Sequence, residues 1–173
     1  SVSARTAGFS TYPIGSFSNA GLFILCILMF VGASPGSTGG GIKTSTFFVL
    51  LQDARSVFSK RYVGAFHRNI AKESIWKAYI ITFLSLGVVC IGTVLVSILQ
   101  PEYSLIQVLF EVVSAFGTVG LSTGITPDLL DASKLIIIAI MFIGRLGAFT
   151  LLSMWIERPE PNVRYTEENV SVG

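Results

Sequence analysis

The sequence predicts an all-α membrane protein that contains two copies of one structural unit. Its mean hydropathy is +0.71, and 13% of its 173 residues are charged, whereas soluble domains carry roughly 25% charged residues. The chain also repeats itself, because residues 6–32 align with residues 118–144 without a gap. Each copy is a glycine-containing turn followed by a long apolar run, an arrangement typical of backbone that lines an ion path and is backed by a membrane helix.

Identical residues recur in the two copies at a constant offset of 112. The identical pairs are Thr6 and Thr118, Gly8 and Gly120, Ser10 and Ser122, Thr11 and Thr123, Ala20 and Ala132, Ile24 and Ile136, Met29 and Met141, Phe30 and Phe142, and Gly32 and Gly144.

The first two apolar runs differ in how they end. The run from Phe17 to Val31 is followed by the glycine-rich stretch Gly32–Gly41, which cannot form an ordinary helix. The run from Ala78 to Leu99 contains no charge over 22 residues, enough to cross a hydrocarbon core of roughly 30 Å as a helix. We therefore predict a broken helix and then a full transmembrane helix.

The last two runs predict a short helix and a spanning helix. Leu105 to Ala115 is apolar over 11 residues, about 16 Å as a helix, so it can enter a membrane without crossing it. A re-entrant pore helix fits this length. Leu135 to Ile156 has spanning length and is interrupted by Arg145.

Charge distribution predicts the orientation. Residues 43–77 are strongly basic, so this loop is predicted to be cytoplasmic. The connection 100–134 carries the acids Glu102, Glu111, Asp128 and Asp131, which suit an extracellular mouth that attracts cations. Alternatively, these acids are only solvated loop and cap residues.

The order of segments divides the chain into three regions. Residues 1–77 hold a turn, a broken helix and a cytoplasmic loop; residues 78–156 hold a complete helix, short helix, turn and helix; residues 157–173 form a polar tail that must return to the cytoplasm. Because the first copy lacks its leading helices, we expect the sequence to be a fragment of a longer protein.

Enzyme chemistry is not indicated. The sequence shows no Ser/His/Asp set, paired carboxylates in an apolar cleft or metal-ligand grouping. Cys26 and Cys90 lie in apolar runs and are interpreted as small core residues, and His67 as a solvated surface residue. We expect no enzyme activity and no cofactor.

The stretch Gly32–Gly41 has a second interpretation, a phosphate-binding loop. The pattern G-x-x-x-x-G-K-[ST] requires lysine directly after Gly41, where this chain has Ile42, and no strand precedes it. Non-helical backbone at membrane depth is tolerated where it faces protein or a water-filled cavity. A pore-lining loop is favoured, and a plain helix break without a gating role remains the alternative.

Four motifs carry a family resemblance: Arg5–Thr11, Gly32–Thr44, Phe110–Ser122 and Gly144–Gly147. Together they resemble the Trk/Ktr/HKT superfamily of potassium uptake proteins. The C-terminal segment Tyr165–Gly173 is most similar to the bacterial Ktr-type membrane subunit. The resemblance implies four M1-P-M2 repeats of the potassium-channel type around one pore, of which this chain would supply the end of the third and all of the fourth.

The resemblance also implies site residues. Two of four selectivity-filter strands would be Thr6, Ala7, Gly8 and Phe9, and Thr118, Val119, Gly120 and Leu121, whose carbonyls would replace the hydration shell of potassium. A gate under the filter would comprise Gly32, Ala33, Ser34, Pro35, Gly36, Ser37, Thr38, Gly39, Gly40, Gly41 and Arg145. Each strand keeps a Thr-x-Gly core without a second glycine, which implies a shorter and less strict filter. The alternative is that each glycine only permits a tight turn between helices.

Arg145 is singular because it lies about 15 Å into the last predicted helix, near the middle of a bilayer. A guanidinium in a cation pathway raises an electrostatic barrier. Its repeat partner is Ala33, so both should lie at a similar depth. Alternatively, Arg145 pairs with a helix-end carbonyl or with Glu111 away from the path. We do not assign Glu111 to ion binding.

The function implied by the resemblance is potassium uptake across the plasma membrane, driven by the membrane potential, with sodium as an activating or symported ion. The resemblance further implies a multi-pass protein with a cytoplasmic C-terminus, surrounded by membrane lipid. It implies a homodimer bound to a cytosolic nucleotide-binding regulatory subunit, and no nucleic-acid partner. The basic residues 60–77 and the tail are candidate docking surfaces.

Two other functions stay open on the residues alone: a non-conducting membrane assembly subunit and an alternating-access cation transporter. Parallel repeats with a re-entrant helix before each turn favour a channel-like pathway over the second. Potassium and sodium preference stay open, since two filter strands are missing from the sequence.

Overall fold

A computed structural model describes residues 3–37, 39–59, 64–65 and 68–147, with the backbone only in 58–59, 64–65 and 68–69. This part of the chain is predominantly helical. The α-helices are α1 Asn19–Phe30, α2 Thr44–Ser59, α3 Lys72–Leu99, α4 Leu105–Gly117 and α5 Asp131–Leu146. Two short strands, β1 Gly64–Ala65 and β2 Arg68–Asn69, pair antiparallel between α2 and α3. A π-helical segment, Ser3–Ala7, and two 3-10 turns, Ile14–Ser16 and Thr126–Asp128, complete the described elements.

Helix α3 has the length and composition of a membrane span. Over the described ranges it is the one helix that meets both criteria, with 28 residues and a mean hydropathy of 2.4 in its most apolar stretch. It begins six residues before the predicted run, because residues 72–77, which include Lys72, Glu73 and Lys77, form its first turns. Large apolar side chains such as Phe83, Ile91 and Ile98 are exposed along it.

Helix α4 forms the centre of the core. It packs against α1, α3 and α5, and Phe110, Val112 and Phe116 are almost fully buried. A capping box starts the helix, in which the Ser104 N–H donates to Gln107 Oε1 at 3.1 Å. Its 13 residues span about 20 Å. The predicted short helix is confirmed, two residues longer than its apolar run.

Glycines let the helices around α4 approach closely. A methyl group placed on Gly92 of α3 would lie 2.5 Å from Ile140 Cδ1 and 3.3 Å from Val112 Cγ1. A methyl group on Gly144 of α5 would collide with the Phe116 carbonyl oxygen. Small residues at such crossings favour helix association in membranes, where apolar burial adds little.

Helix α2 was not predicted, because residues 44–77 were interpreted as a cytoplasmic loop. It packs against α3, and the Tyr79 hydroxyl donates to Asp53 Oδ2 at 2.5 Å. The half-buried apolar residues of α2, among them Val49 and Leu50, allow this packing where a solvated loop was expected.

The last helix is shorter than its predicted run. Helix α5 ends at Leu146, and Gly147 has a φ of 85° that takes the chain out of helical geometry. Arg145 therefore lies in a helix-terminal turn and not in the middle of a helix. Residues 148–156, the predicted tail 157–173 and His67 lie outside the described residues.

Candidate functional site

The second turn segment, Thr118–Leu121, follows directly from α4. Thr118 has a φ of 50° and Gly120 a φ of 88°. The Thr118 N–H donates to Ala115 O at 3.0 Å and the Val119 N–H to Ser114 O at 2.9 Å, while Ser114 Oγ donates to Leu121 O at 2.6 Å. The end of α4 therefore holds the segment at several points along its backbone.

The first turn segment, Thr6–Phe9, repeats this backbone pattern. Thr6 has a φ of 69° and Gly8 a φ of 68°, at the positions that the offset of 112 pairs with Thr118 and Gly120. A threonine in the left-handed region is uncommon. In the described residues, Thr6 and Thr118 are the two non-glycine residues with positive φ. The sequence repeat is therefore also a repeat of unusual backbone conformation.

The two turn segments face each other at their glycines. A methyl group on Gly8 would lie 2.6 Å from the Val119 carbonyl oxygen and 3.4 Å from Gly120 Cα. A methyl group on Gly120 would lie 3.7 Å from Gly8 Cα. At Gly8 a side chain would both collide with the Val119 carbonyl and disfavour the positive φ, whereas at Gly120 only the positive φ disfavours a side chain.

The glycine loop, residues 32–41, is closed at its base by backbone hydrogen bonds. The Gly32 N–H donates to Ile42 O at 2.8 Å, and the Ile42 N–H donates to Phe30 O at 3.2 Å. These bonds join Val31 and Ile42 in a parallel bridge. The predicted break in the helix is confirmed, since α1 ends at Phe30 and α2 begins at Thr44. Thr38 lies outside the described residues.

Gly39 and Gly40, which lie next to the base of this loop, are packed against both turn segments, whereas residues 34–37 are exposed. The Gly40 N–H donates to Thr118 Oγ1 at 3.2 Å. A methyl group on Gly39 would lie 3.0 Å from Thr6 Cγ2, and one on Gly40 would lie 3.0 Å from the carbonyl oxygens of Phe116 and Gly117. Any side chain larger than hydrogen at these two positions would push the loop away from the turns.

Lys43, the residue directly before α2, holds the glycine loop through its side chain. Its Nζ donates to Ser37 O at 2.9 Å and to Gly39 O at 2.6 Å. An ammonium that satisfies two carbonyls makes the charged class of hydrogen bond, which is the stronger class. In the sequence, Lys43 is one of the basic residues of 43–77 and part of the motif Gly32–Thr44, but no spacing pattern marks this contact.

Glu111 braces the backbone beyond the second turn segment. Its carboxylate accepts from Ser122 Oγ at 2.8 Å, Thr123 N at 2.8 Å, Thr123 Oγ1 at 3.0 Å and Thr126 Oγ1 at 2.9 Å. The side chain is buried. None of the hydrogen bonds that the described residues make to Glu111 comes from Arg145, so the alternative pairing of these two residues is not observed.

Arg145 is exposed and lies beside the contact between α5 and the end of α4. Its neighbour Gly144 approaches the Phe116 carbonyl oxygen, which Gly40 of the glycine loop also approaches. Gly144 and Gly40 therefore meet at the same carbonyl group, next to Arg145 in the chain. The similar depth of Arg145 and Ala33 in a membrane stays a prediction. A cation at a helix C-terminus is also favoured by the helix dipole.

A family model described as "TrkH: Cation transport protein" matches residues 1–164. The chain belongs to this family. Membership confirms the predicted resemblance and the expectation of a membrane cation transporter rather than an enzyme.

Curated relatives match over the whole chain. The Ktr system potassium uptake protein D of Bacillus subtilis is 39% identical over 175 residues, covering 100% of this chain and 39% of that protein. The potassium/sodium uptake protein NtpJ of Enterococcus hirae is 39% identical over 180 residues, covering 100% of this chain and 40% of that protein. The chain thus spans about two fifths of the length of these TrkH-family relatives.

A solved structure shares the fold. The crystal structure of the potassium transporter TrkH from Vibrio parahaemolyticus superposes with a TM-score of 0.71 at 23% identity, covering 89% of this chain and 35% of that chain.

Proposed function

We propose that this chain forms part of a potassium-uptake pathway in a longer TrkH-family protein, with Thr6–Phe9 and Thr118–Leu121 as two strands of the selectivity filter. One observation carries this proposal: the two turn segments lie against each other at Gly8 and Gly120, and Thr6 and Thr118 both have positive φ values. Alternating conformations of this kind turn successive carbonyls toward an axis, where they can replace the hydration shell of a cation.

The chain is assigned as the end of one M1-P-M2 repeat and the whole of the next. In this assignment α3 is M1, α4 is the pore helix and α5 begins M2, and α1 is the first part of the broken M2 of the preceding repeat. The proposed regions are 1–77, 78–156 and 157–173. The order of elements between Lys72 and Leu146 supports the assignment.

The glycine loop and Arg145 are proposed as the gate. Gly39 and Gly40 of the loop lie against Thr6 and Thr118, so in this assignment the loop closes the pathway directly under the filter. Arg145 at the same level would add a positive charge that opposes cation passage. Lys43 holds the loop in the closed position through its two carbonyl contacts.

Several properties of the whole protein belong to the same proposal. They are a plasma-membrane location with several spans and a cytoplasmic C-terminus, a homodimer, a cytosolic nucleotide-binding regulatory subunit, and sodium as an activating or symported ion. No cofactor is proposed, and potassium is the substrate. The names of the relatives in Bacillus subtilis and Enterococcus hirae include potassium uptake and, for the second, sodium.

The test is rubidium uptake by the full-length protein in a cell that lacks its own potassium uptake, at matched membrane expression. Gly120→Ser should weaken the apparent affinity for potassium or admit sodium, because Gly120 has room for a side chain but a φ that suits glycine. Arg145→Ala should raise the flux by removing a barrier. If both variants match the wild type, the two residues are packing elements and the pathway assignment is wrong.

A further inference from the structure

The two copies of the repeat have a second close contact, beyond their turn segments. A methyl group placed on Gly15 would lie 2.7 Å from the Thr123 carbonyl oxygen. A carbon atom in ordinary contact with another atom lies at 3.4 Å or more. The backbone of the first copy therefore lies directly against the backbone of the second at this point, with no room for a side chain.

The turn that carries Gly15 does not itself require glycine. Gly15 is the middle residue of the 3-10 turn Ile14–Ser16, and the offset of 112 leads from this turn to the other described 3-10 turn, Thr126–Asp128. The middle residue of that second turn is Pro127, whose ring fixes φ near −65°. Gly15 is also not among the glycines with positive φ. Because the same turn forms around a proline, the contact with Thr123, and not the conformation, explains the glycine.

Both sides of this contact are held in place. Glu111 Oε1 accepts from the Thr123 N–H at 2.8 Å and from Thr123 Oγ1 at 3.0 Å. On the other side, Ile14 is buried and lines the same cleft as Leu121 of the second turn segment. The Phe17 N–H donates to Ile14 O at 3.0 Å and closes the 3-10 turn. An added side chain would therefore act against two anchored segments.

The contacts at Gly8 and Gly15 join the two copies at different points. At the first, a methyl group on Gly8 would lie 2.6 Å from the Val119 carbonyl oxygen. The second involves Thr123, four residues further along the second copy. One contact fixes the distance between two segments at a single point, whereas a second contact at another point also fixes their relative angle.

We propose that Gly15 is a positioning residue for the ion pathway, an inference that rests on the function proposed above. The missing side chain lets the turn Ile14–Ser16 approach Thr123, and this approach sets the separation of the two filter strands at the ends that follow Phe9 and Leu121. An alanine at position 15 would have to separate the copies there by about 0.7 Å. Close-packed interiors transmit such a shift, and carbonyl filters discriminate cations by the size of the cage and the field of its carbonyls.

The experiment measures rubidium uptake with sodium as the competitor, using the full-length protein in a cell that lacks its own potassium uptake. Gly15→Ala should lower the selectivity for rubidium over sodium about fivefold, which corresponds to about 1 kcal/mol. This ratio does not depend on the amount of folded protein, so a purely structural role would lower uptake without changing the ratio. The matched control is Gly21→Ala, whose methyl group would meet only side chains, with Phe17 Cδ1 at 3.3 Å and Ser18 Oγ at 3.5 Å, and which should keep the wild-type ratio.

A double variant tests the part played by Glu111. Glu111→Gln loosens the hold on Thr123, so that the Thr123 carbonyl can withdraw from the methyl group of Gly15→Ala. The loss of selectivity in the double variant should therefore be smaller than the product of the two single losses, and losses that simply multiply would overturn the proposal. If Gly15→Ala alone does not reach the membrane, the double variant should restore expression to the level of Glu111→Gln; a failure to restore it would also overturn the proposal.

Gly120→Ser in the same assay separates this inference from the proposed function. A changed ratio in Gly120→Ser together with a wild-type ratio in Gly15→Ala would refute the role of Gly15 alone. Wild-type ratios in both variants would refute the pathway assignment and the positioning role together.

Discussion

Replacing Lys43 with methionine tests whether the loop is a gate held by one side chain. The change removes the ammonium but keeps an unbranched side chain of similar length. It breaks the contacts to Ser37 O at 2.9 Å and Gly39 O at 2.6 Å. The hydrogen bonds that close the base of the loop do not involve the Lys43 side chain, so the loop should still form.

The expected magnitude follows from these two bonds. A hydrogen bond to a charged group contributes about 1.5–3 kcal/mol. Because the contact to Ser37 is exposed to solvent, we take about 2 kcal/mol for the pair, which corresponds to a change of about 30-fold in the ratio of displaced to seated loop. Maximal uptake should rise toward, and not beyond, about 30-fold. The apparent affinity should change little, since Lys43 does not contact the turn segments.

Rubidium uptake by the full-length protein at matched expression measures the effect. Lys43→Arg retains a cationic donor and should stay near the wild-type rate. A second readout is the rate at which a thiol reagent modifies Ala33→Cys in a background of Cys90→Ser, because Ala33 is a buried residue of the seated loop and Cys90 is exposed. An unchanged maximal rate in Lys43→Met together with unchanged Ala33→Cys modification would refute the clamp.

Two further predictions concern the packing behind the turn segments. Gly144→Ala should lower the free energy of unfolding of the detergent-solubilised protein by about 1–3 kcal/mol, since its methyl group would meet the Phe116 carbonyl oxygen. The control is Gly87→Ala, because a methyl group on Gly87 would have no atom within 4 Å. Equal stability of the two variants would contradict the close contact at Gly144. Glu111→Gln keeps the shape of the side chain but removes the negative charge that accepts four hydrogen bonds. The selectivity for rubidium over sodium, measured by competition in the uptake assay, should therefore fall. Glu102→Gln changes a residue in an exposed turn and should leave this selectivity unchanged.

The short helix, the turns and the loop could be predicted from the sequence because their signals are local. An apolar run of 11 residues predicts the start of α4 and its length to within two residues, and glycines at a constant offset predict where the chain turns. The closed loop follows from a glycine density that no helix tolerates. These features depend on residues close together in the chain, and the structure agrees with each of them.

The contacts of Lys43, Gly144 and Glu111 could not be predicted, because each depends on backbone brought from elsewhere. In the sequence, nothing distinguishes the Lys43 side chain from the other basic residues of 43–77. Its role depends on the fold of the glycine loop, which brings the Gly39 carbonyl within 2.6 Å of Lys43 Nζ. Gly144 matters through a carbonyl of α4. The depth assigned to Arg145 also depended on a continuous last helix, whereas Gly147 ends that helix two residues later.

The Phe116 carbonyl, at the end of α4, is where the proposed gate contacts the backbone that leads into the proposed filter. Gly40 of the loop and Gly144 of α5 both approach it, and Gly40 also donates to the Thr118 side chain. Withdrawing the loop from the turn segments breaks this one neutral hydrogen bond, a loss of about 1 kcal/mol. The two Lys43 contacts are of the stronger, charged class, so the energy that keeps the loop seated resides mainly on the side facing α2. A regulator that moves α2 would therefore control the gate without touching the filter.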